Sequence, residues 1–171
     1  NTDFIDNSGG VDCSDHEVNM KILLNRAVAM GDLTAKQRNV MLEEMTDDVS
    51  ALVLKNNYRQ TQAISIASAD TAPRLEEYRR LMNTLESEGK LNRGLEFLPD
   101  DDALAERKLA KKGLTRPELS VLISYVKGDL KQTLIASTLP DDPLLAGEMY
   151  KVFPKELNKK FSKELGEHQL R

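Results

Sequence analysis

The sequence has 171 residues, of which 40% are hydrophobic and 30% are charged, and its formal net charge at pH 7 is -4. This length and hydrophobic content are enough for the core of one ordinary domain. The acidic balance offers no basic surface to a phosphate backbone, so we expect no nucleic-acid partner.

The cysteine content and the hydropathy of the sequence indicate in which cellular compartment the protein is expected. The single cysteine, Cys13, excludes an intrachain disulfide and a multi-cysteine zinc site, and it fits a reducing, cytoplasmic location. No apolar run approaches the roughly 18 residues of a membrane span, so we expect no membrane partner. The start Asn1-Thr2-Asp3 has neither an initiator methionine nor a basic leader, so we expect a piece of a longer polypeptide.

The first predicted element is a glycine turn. Gly9 and Gly10 permit backbone conformations that a Cβ would forbid, so residues 6–11 read as a loop. Ser14 and Glu17 then form a capping-box pattern. We predict that the first helix begins there and ends near Gly31.

Capping residues, prolines and apolar spacing predict further helices along the chain. They begin at Thr34, at Thr46 (running past Ile64), at Leu75 (to Gly89), at Asp100 (to Gly113), at Thr115 (to Leu134), at Asp141 (to Phe153) and at Lys155 (to Leu165). Residues 91–99 have glycine turns and no sustained period, which predicts a long connection. Strand signals are nearly absent, so the predicted fold is mostly α, a multi-helix bundle or array.

Chemistry-bearing residue types are densest at the N-terminus, around the glycine turn. The calcium-loop register fails because Ser8 falls where a glycine is required, and the phosphate-loop and dinucleotide glycine motifs are incomplete. We predict no metal site. Cys13 and His16 could form a nucleophilic pair, because a helix N-terminus favours a thiolate. The alternative is a small apolar corner residue at Cys13 and a solvent-facing helical residue at His16.

The turn and the predicted helix start also make a plausible anion site. Backbone amides and the Ser14 hydroxyl would meet at a positive helix end, which suits a carboxylate or a phosphate. Simple helix capping by Ser14 explains the same pattern.

The first 19 residues, NTDFIDNSGGVDCSDHEVN, resemble the signature of the large single-chain bacterial NAD-specific glutamate dehydrogenases. Residues 31–38, 113–119 and 153–154 resemble that family's C-terminal helical region. The resemblance implies that residues 1–13 are a strand-loop remnant of an upstream α/β nucleotide-binding catalytic domain. It implies that residues 14–171 are a helical C-terminal domain.

The same N-terminal stretch resembles, more distantly, the Asn-Ala-Gly-Gly-Val-x-x-Ser segment of the small glutamate dehydrogenases. This implies that Asn7, Gly9 and Gly10 contact the NAD cofactor, with Asn7 near the nicotinamide ribose. It implies that Val11 lines the substrate cleft and that Ser14 hydrogen-bonds the side-chain carboxylate of glutamate. The residues at 12, 15 and 16 depart from the small family's pattern and receive no role.

The resemblance implies that the parent enzyme oxidatively deaminates L-glutamate to 2-oxoglutarate and ammonia, with hydride passing to NAD. The catalytic residues would lie upstream of Asn1, so we expect no catalytic residue in this chain and no activity from residues 1–171 alone.

A second function class fits most of the helical body. In this alternative the chain is an interaction or scaffolding module that mediates contacts between domains or between subunits of a homo-oligomer, and residues 1–13 are a tail. The N-terminal segment separates the two hypotheses, since only a dehydrogenase needs it to bind ligands.

Overall fold

The computed structural model describes residues 1–168, and they are almost entirely helical. The elements in chain order are α1 (Asp3–Asp6), α2 (Ser8–Met30), α3 (Ala35–Glu44), α4 (Thr46–Ala69), α5 (Leu75–Ser87), α6 (Asp101–Leu109), α7 (Arg116–Ile135), a 3-10 turn (Leu139–Asp141), α8 (Ala146–Lys151), α9 (Lys155–Lys160) and α10 (Ser162–Gly166). No β-strand occurs in the described range, and none of its helices has the length and apolarity needed to cross a bilayer. The predicted multi-helix array is confirmed.

The predicted N-terminal strand-loop remnant is wrong, because this segment is helical. The helix α2 begins at Ser8 and takes both glycines into its first turn, so Ser14 lies in the second turn and caps nothing. Each helical glycine costs about 1 kcal/mol relative to alanine. Contacts between the first turns of α2 and residues 53–57 of α4 offset that local cost. The domain boundary after residue 13 stays a prediction.

Helix ends with strong local signals are confirmed. The helix predicted to begin at Thr34 does so, with Thr34 and Gln37 forming a reciprocal capping box at the start of α3. Gly31 and Gly89 follow α2 and α5 in the left-handed conformation, with φ of 84° and 68°. The amides of each glycine and of the next residue bond back to the last helical turn, as in the Schellman motif.

The predicted end of α6 at Gly113 is wrong. The helix ends at Leu109, and Lys111 takes the left-handed position with φ 55°. Gly113 lies instead where two backbone segments meet, since a Cβ built on it would lie 2.0 Å from Thr71 Oγ1 and 2.6 Å from the Ala72 amide nitrogen. That glycine therefore permits their close approach.

The two long helices predicted near the C-terminus are also wrong. After the 3-10 turn, the amides of Leu144 and Leu145 bond to Asp142 in a turn around Pro143, so a helix resumes only at α8. The second predicted helix is divided into α9 and α10 at Phe161, whose φ is -125°. Phe161 packs against a hydrophobic core, and this packing replaces helical continuity.

The chain divides into two compact units. The first contains residues 1–6 and 58–132. Its core includes one apolar side of α5: Leu75, Met82 and Leu85 are at most 3% exposed, and Tyr78 packs against this core. The second contains residues 7–57 and the described residues from 133 onward. Its core is formed by Met20, Leu23, Leu24, Met45, Val49, Phe153, Leu157 and Leu165.

Candidate functional site

One face of α2 carries most of the residues singled out by the sequence. A helix turns about 100° per residue, so positions 7, 11, 14 and 18 fall on the same side. Asn7, Val11, Ser14 and Val18 are all exposed, with Val11 67% exposed. Gly10 flanks them and is also exposed. We call Asn7, Gly10, Val11 and Ser14 the outer face of α2.

The opposite side of α2 is buried within the second unit. Met20, Leu23, Leu24 and Ala27 are at most 3% exposed and belong to this side. Near its N-terminal end the same side becomes polar: Asp12 Oδ2 accepts a hydrogen bond of 3.0 Å from Asn56 Nδ2 of α4. The buried apolar residues of α2 begin only at Met20, so a polar contact holds the start of the helix to α4.

His16 lies on this buried side and is only 7% exposed. Its Nδ1 is 2.8 Å from the Val152 carbonyl oxygen, which can only accept, so Nδ1 carries the hydrogen. Its Nε2 lies 3.6 Å from Asp12 Oδ1 and has no hydrogen-bond partner. The predicted solvent-facing position of His16 is therefore wrong.

The predicted Cys13–His16 nucleophilic pair is not supported by this arrangement. Cys13 is exposed and free, whereas His16 is buried and directs Nδ1 to the Val152 carbonyl. The alternative prediction of Cys13 as a corner residue between strand and helix is also wrong, because residues 8–30 form one helix. Among residues 1–168, no three His, Cys, Asp or Glu side chains come together as metal ligands do.

The structure groups four of the five predicted ligand-binding residues, namely the outer face, and separates the fifth. Gly9 faces α4, and a Cβ built on it would lie 3.6 Å from Val53 Cγ1, an ordinary contact. The side chain of Asn7 makes no hydrogen bond that caps the helix. Ser14 lies in the second turn of α2, and its side chain is exposed to solvent. Neutral hydrogen-bonding groups beside an exposed apolar side chain fit the kind of contact that a ribose hydroxyl or a carboxylate requires. The roles themselves stay predictions.

Asn56 and Val152 are neighbours of the candidate site that the sequence did not predict. The i, i+4 spacing of Asp12 and His16 hinted that they share a helix side, but only if the helix begins before Ser14. No local pattern relates Asp12 to Asn56, which is 44 residues away, or His16 to Val152, which is 136 residues away. These contacts depend on the tertiary fold.

A separate cavity of about 430 Å³ lies beside α7 in the first unit. Its polar and charged side chains form hydrogen bonds and ion pairs with neighbouring side chains. Tyr125 donates to Glu96 at 2.7 Å, which raises the pKa of the tyrosine. Lys90 pairs with Asp129 and Glu88, which raises the pKa of the lysine. These groups bond to one another and do not select a ligand class.

Two family models match this chain. The model for the catalytic domain of bacterial NAD-glutamate dehydrogenase matches residues 1–67, and the model for the glutamate dehydrogenase C-terminal region matches residues 111–171. No solved structure matches the chain.

Curated relatives match over the whole chain. It is 60% identical to the NAD-specific glutamate dehydrogenase of Pseudomonas aeruginosa, 54% identical to that of Halomonas elongata and 43% identical to that of Mycobacterium tuberculosis. The chain spans 11%, 11% and 10% of their respective lengths. The helical chain is thus similar throughout to one segment of these NAD-specific glutamate dehydrogenases. This similarity to the bacterial NAD-specific glutamate dehydrogenases confirms the resemblance of residues 1–19.

Proposed function

We propose that the longer protein to which this chain corresponds oxidises L-glutamate to 2-oxoglutarate and ammonia, with NAD as cofactor. The observation that carries the proposal is 60% identity, over all 171 residues, to an NAD-specific glutamate dehydrogenase. NAD, when bound, supplies the hydride acceptor. The chain's own contribution is binding and orientation, because its candidate residues carry amide, hydroxyl and apolar groups and no general base.

The outer face of α2 is the proposed contact surface. In this proposal Asn7 hydrogen-bonds the nicotinamide ribose, Ser14 hydrogen-bonds the side-chain carboxylate of glutamate, and Val11 and Gly10 line the cleft between them. Their exposure on one helix face supports the assignment, since a ligand could reach all four. The resemblance implies a cofactor contact for Gly9 as well, but its place beside Val53 of α4 favours a packing role for this residue.

Ser14→Ala in the full-length enzyme tests this proposal. Ser14 is exposed and caps no helix, and alanine has the higher helix propensity, so the substitution should leave stability unchanged or raise it by up to about 0.5 kcal/mol. A lost hydrogen bond to a charged carboxylate costs about 1.5–3 kcal/mol, so kcat/KM for glutamate should fall about 10-fold to 100-fold.

Ser50→Ala is the matched control, because Ser50 is an exposed serine inside α4 whose hydroxyl donates to the Thr46 carbonyl of the same helix. Steady-state kinetics of glutamate oxidation should be normal in this variant. Unchanged kcat/KM in Ser14→Ala would remove Ser14 from the substrate site.

A second role, in contacts between domains or subunits, is favoured by one exposed turn of the first unit. Leu95 is 75% exposed and Phe97 is 90% exposed, and Phe97 holds a φ of 54° that a bulky residue seldom adopts. Arg93 fixes the turn through bonds to Glu86 and Asn83. A rigid turn that displays two large apolar side chains suits a protein contact. This role alone would leave glutamate kinetics insensitive to Ser14→Ala.

A further inference from the structure

Rotation of α2 about its own axis decides where the outer face points. The core residues of α2 pack through apolar contacts, which are not directional. The directional contacts near Ser14 come from the polar end of the buried side, where His16 and Asp12 lie one turn apart. A small rotation would carry the Ser14 hydroxyl away from its ligand, and the lost hydrogen bond would weaken the binding of glutamate.

We propose that His16 is a positioning residue for the outer face of α2. Asp12, anchored by Asn56, completes the arrangement. The inference rests on the proposed function, because it requires Ser14 to meet the substrate. His16 and Ser14 are two residues apart and therefore point to nearly opposite sides of the helix. His16 thus acts through the orientation of the helix and touches no ligand.

Two anchors on different elements define the orientation. The first is the 2.8 Å hydrogen bond from His16 Nδ1 to the Val152 carbonyl, at the end of α8. The second is the 3.0 Å hydrogen bond from Asn56 of α4 to Asp12. Two directional bonds to two separate helices resist rotation in both senses, which a single bond cannot do.

The choice of histidine fits this role better than a role in packing. A buried polar atom without a partner is costly, and Nε2 of His16 is such an atom, 3.6 Å from Asp12 Oδ1. A leucine or methionine would fill the same space without that cost, as at Met20 and Leu24 on the same side. On the buried side of α2, a polar side chain thus lies behind the outer face, and apolar side chains follow farther along the helix.

The test compares two substitutions of His16 in the full-length enzyme. His16→Asn keeps a donor nitrogen at a position equivalent to Nδ1, so the bond to Val152 can form. His16→Leu keeps a similar volume and removes the bond. We expect KM for glutamate to rise about tenfold in His16→Leu and to stay within about threefold of wild type in His16→Asn, with kcat less affected than KM in both.

His168→Leu is the matched control. His168 is also buried, at 5% exposed. Its Nε2 lies within hydrogen-bond distance, at 3.0 Å, of the carbonyl oxygen of Asn19. Asn19 belongs to α2, as His16 does, but it follows the residues of the outer face. His168→Leu removes a comparable buried hydrogen bond and should leave KM for glutamate within about twofold of wild type, whatever its effect on the melting temperature. Equal rises of KM in both leucine variants would overturn the positioning role and leave two structural histidines.

Asn56→Ala provides a second route if His16→Leu does not fold. Asn56 is only half-buried, and its replacement removes the anchor on Asp12 without disturbing the core. KM for glutamate should rise in the same direction, and wild-type KM in a folded Asn56→Ala enzyme would overturn the inference.

Ser14→Ala, assayed in parallel, separates the two possible failures. Normal KM in Ser14→Ala would overturn the substrate site and the positioning role together. Raised KM in Ser14→Ala with normal KM in His16→Leu would overturn the positioning role alone.

Discussion

Gly113 is the residue whose replacement has the clearest steric consequence. A Cβ there would meet Thr71 Oγ1 at 2.0 Å and Thr71 Cβ at 2.5 Å, and Thr71 is 5% exposed and cannot easily move away. Gly113→Ala should therefore lower the free energy of unfolding by about 1–3 kcal/mol, the usual range for overpacking. Urea denaturation of the variant measures this loss.

Gly128→Ala is the control for that experiment. Gly128 lies inside α7, and nothing lies within 4 Å of a Cβ built on it. Alanine should stabilise the protein there by about 0.5–1 kcal/mol through helix propensity. Equal losses in both variants would contradict a steric explanation for Gly113.

A bidentate ion pair joins the elements α6 and α7. Arg107 Nη1 and Nη2 each donate to a carboxylate oxygen of Glu118 at 2.7 Å, and the Thr115 amide donates to the same carboxylate at 2.7 Å. Burial favours the neutral acid and would raise the pKa of Glu118, but these hydrogen bonds favour the carboxylate and hold the pKa below its ordinary value. Glu118 thus caps α7 and ties it to α6.

The lowered pKa predicts how stability depends on pH. A depressed carboxyl pKa contributes stability that is present above the unfolded pKa, about 4.3, and is lost as the pH falls through the folded pKa. Glu118→Gln should lower the free energy of unfolding at pH 7 by about 1.5–3 kcal/mol, and the difference from wild type should shrink below about pH 4. Urea denaturation across this range measures it.

Glu156→Gln is the control, because Glu156 pairs with Lys160 at 3.0 Å on the exposed surface of α9. Exposed pairs contribute little, so no measurable change is expected. A Glu118→Gln deficit that persists undiminished in acid would contradict the ionic explanation.

Elements were predictable where their signals are local. Thr34 with Gln37, and Thr115 with Glu118, satisfy helix starts within three residues, so the sequence contains the whole motif. The start of α2 was not predictable, because the contacts that hold its first turns, at Ser8, Gly9 and Asp12, come from α4. The same holds for Phe161, whose packing into the core divides α9 from α10.

The candidate site was also predictable only in part from the sequence. The resemblance supplied the residues of the outer face, and helical periodicity brings Asn7, Val11 and Ser14 together once α2 is known to begin at Ser8. The polar contacts behind that face could not be read from the sequence, since they join His16 to Val152 and Asp12 to Asn56 across long separations.

The chain by itself should show no glutamate oxidation. It spans about a tenth of the length of its relatives, and its candidate residues occupy a single exposed helix face. Hydride transfer requires cofactor and substrate to be bound together in a defined geometry. Purified residues 1–171 should therefore produce no NADH from glutamate and NAD, measured by absorbance beside the full-length enzyme at equal molarity. Turnover by the purified segment would contradict this.

The exposed Cys13 gives the chain a natural attachment point for a spectroscopic reporter. It is the single cysteine of the sequence, it is free, and it adjoins Ser14 on α2. Thiol-directed dyes or spin labels would therefore modify this segment at one position, with no need to remove competing thiols from it. The environment of such a label would test the proposed binding of glutamate at Ser14 directly, even in variants too slow for a turnover assay.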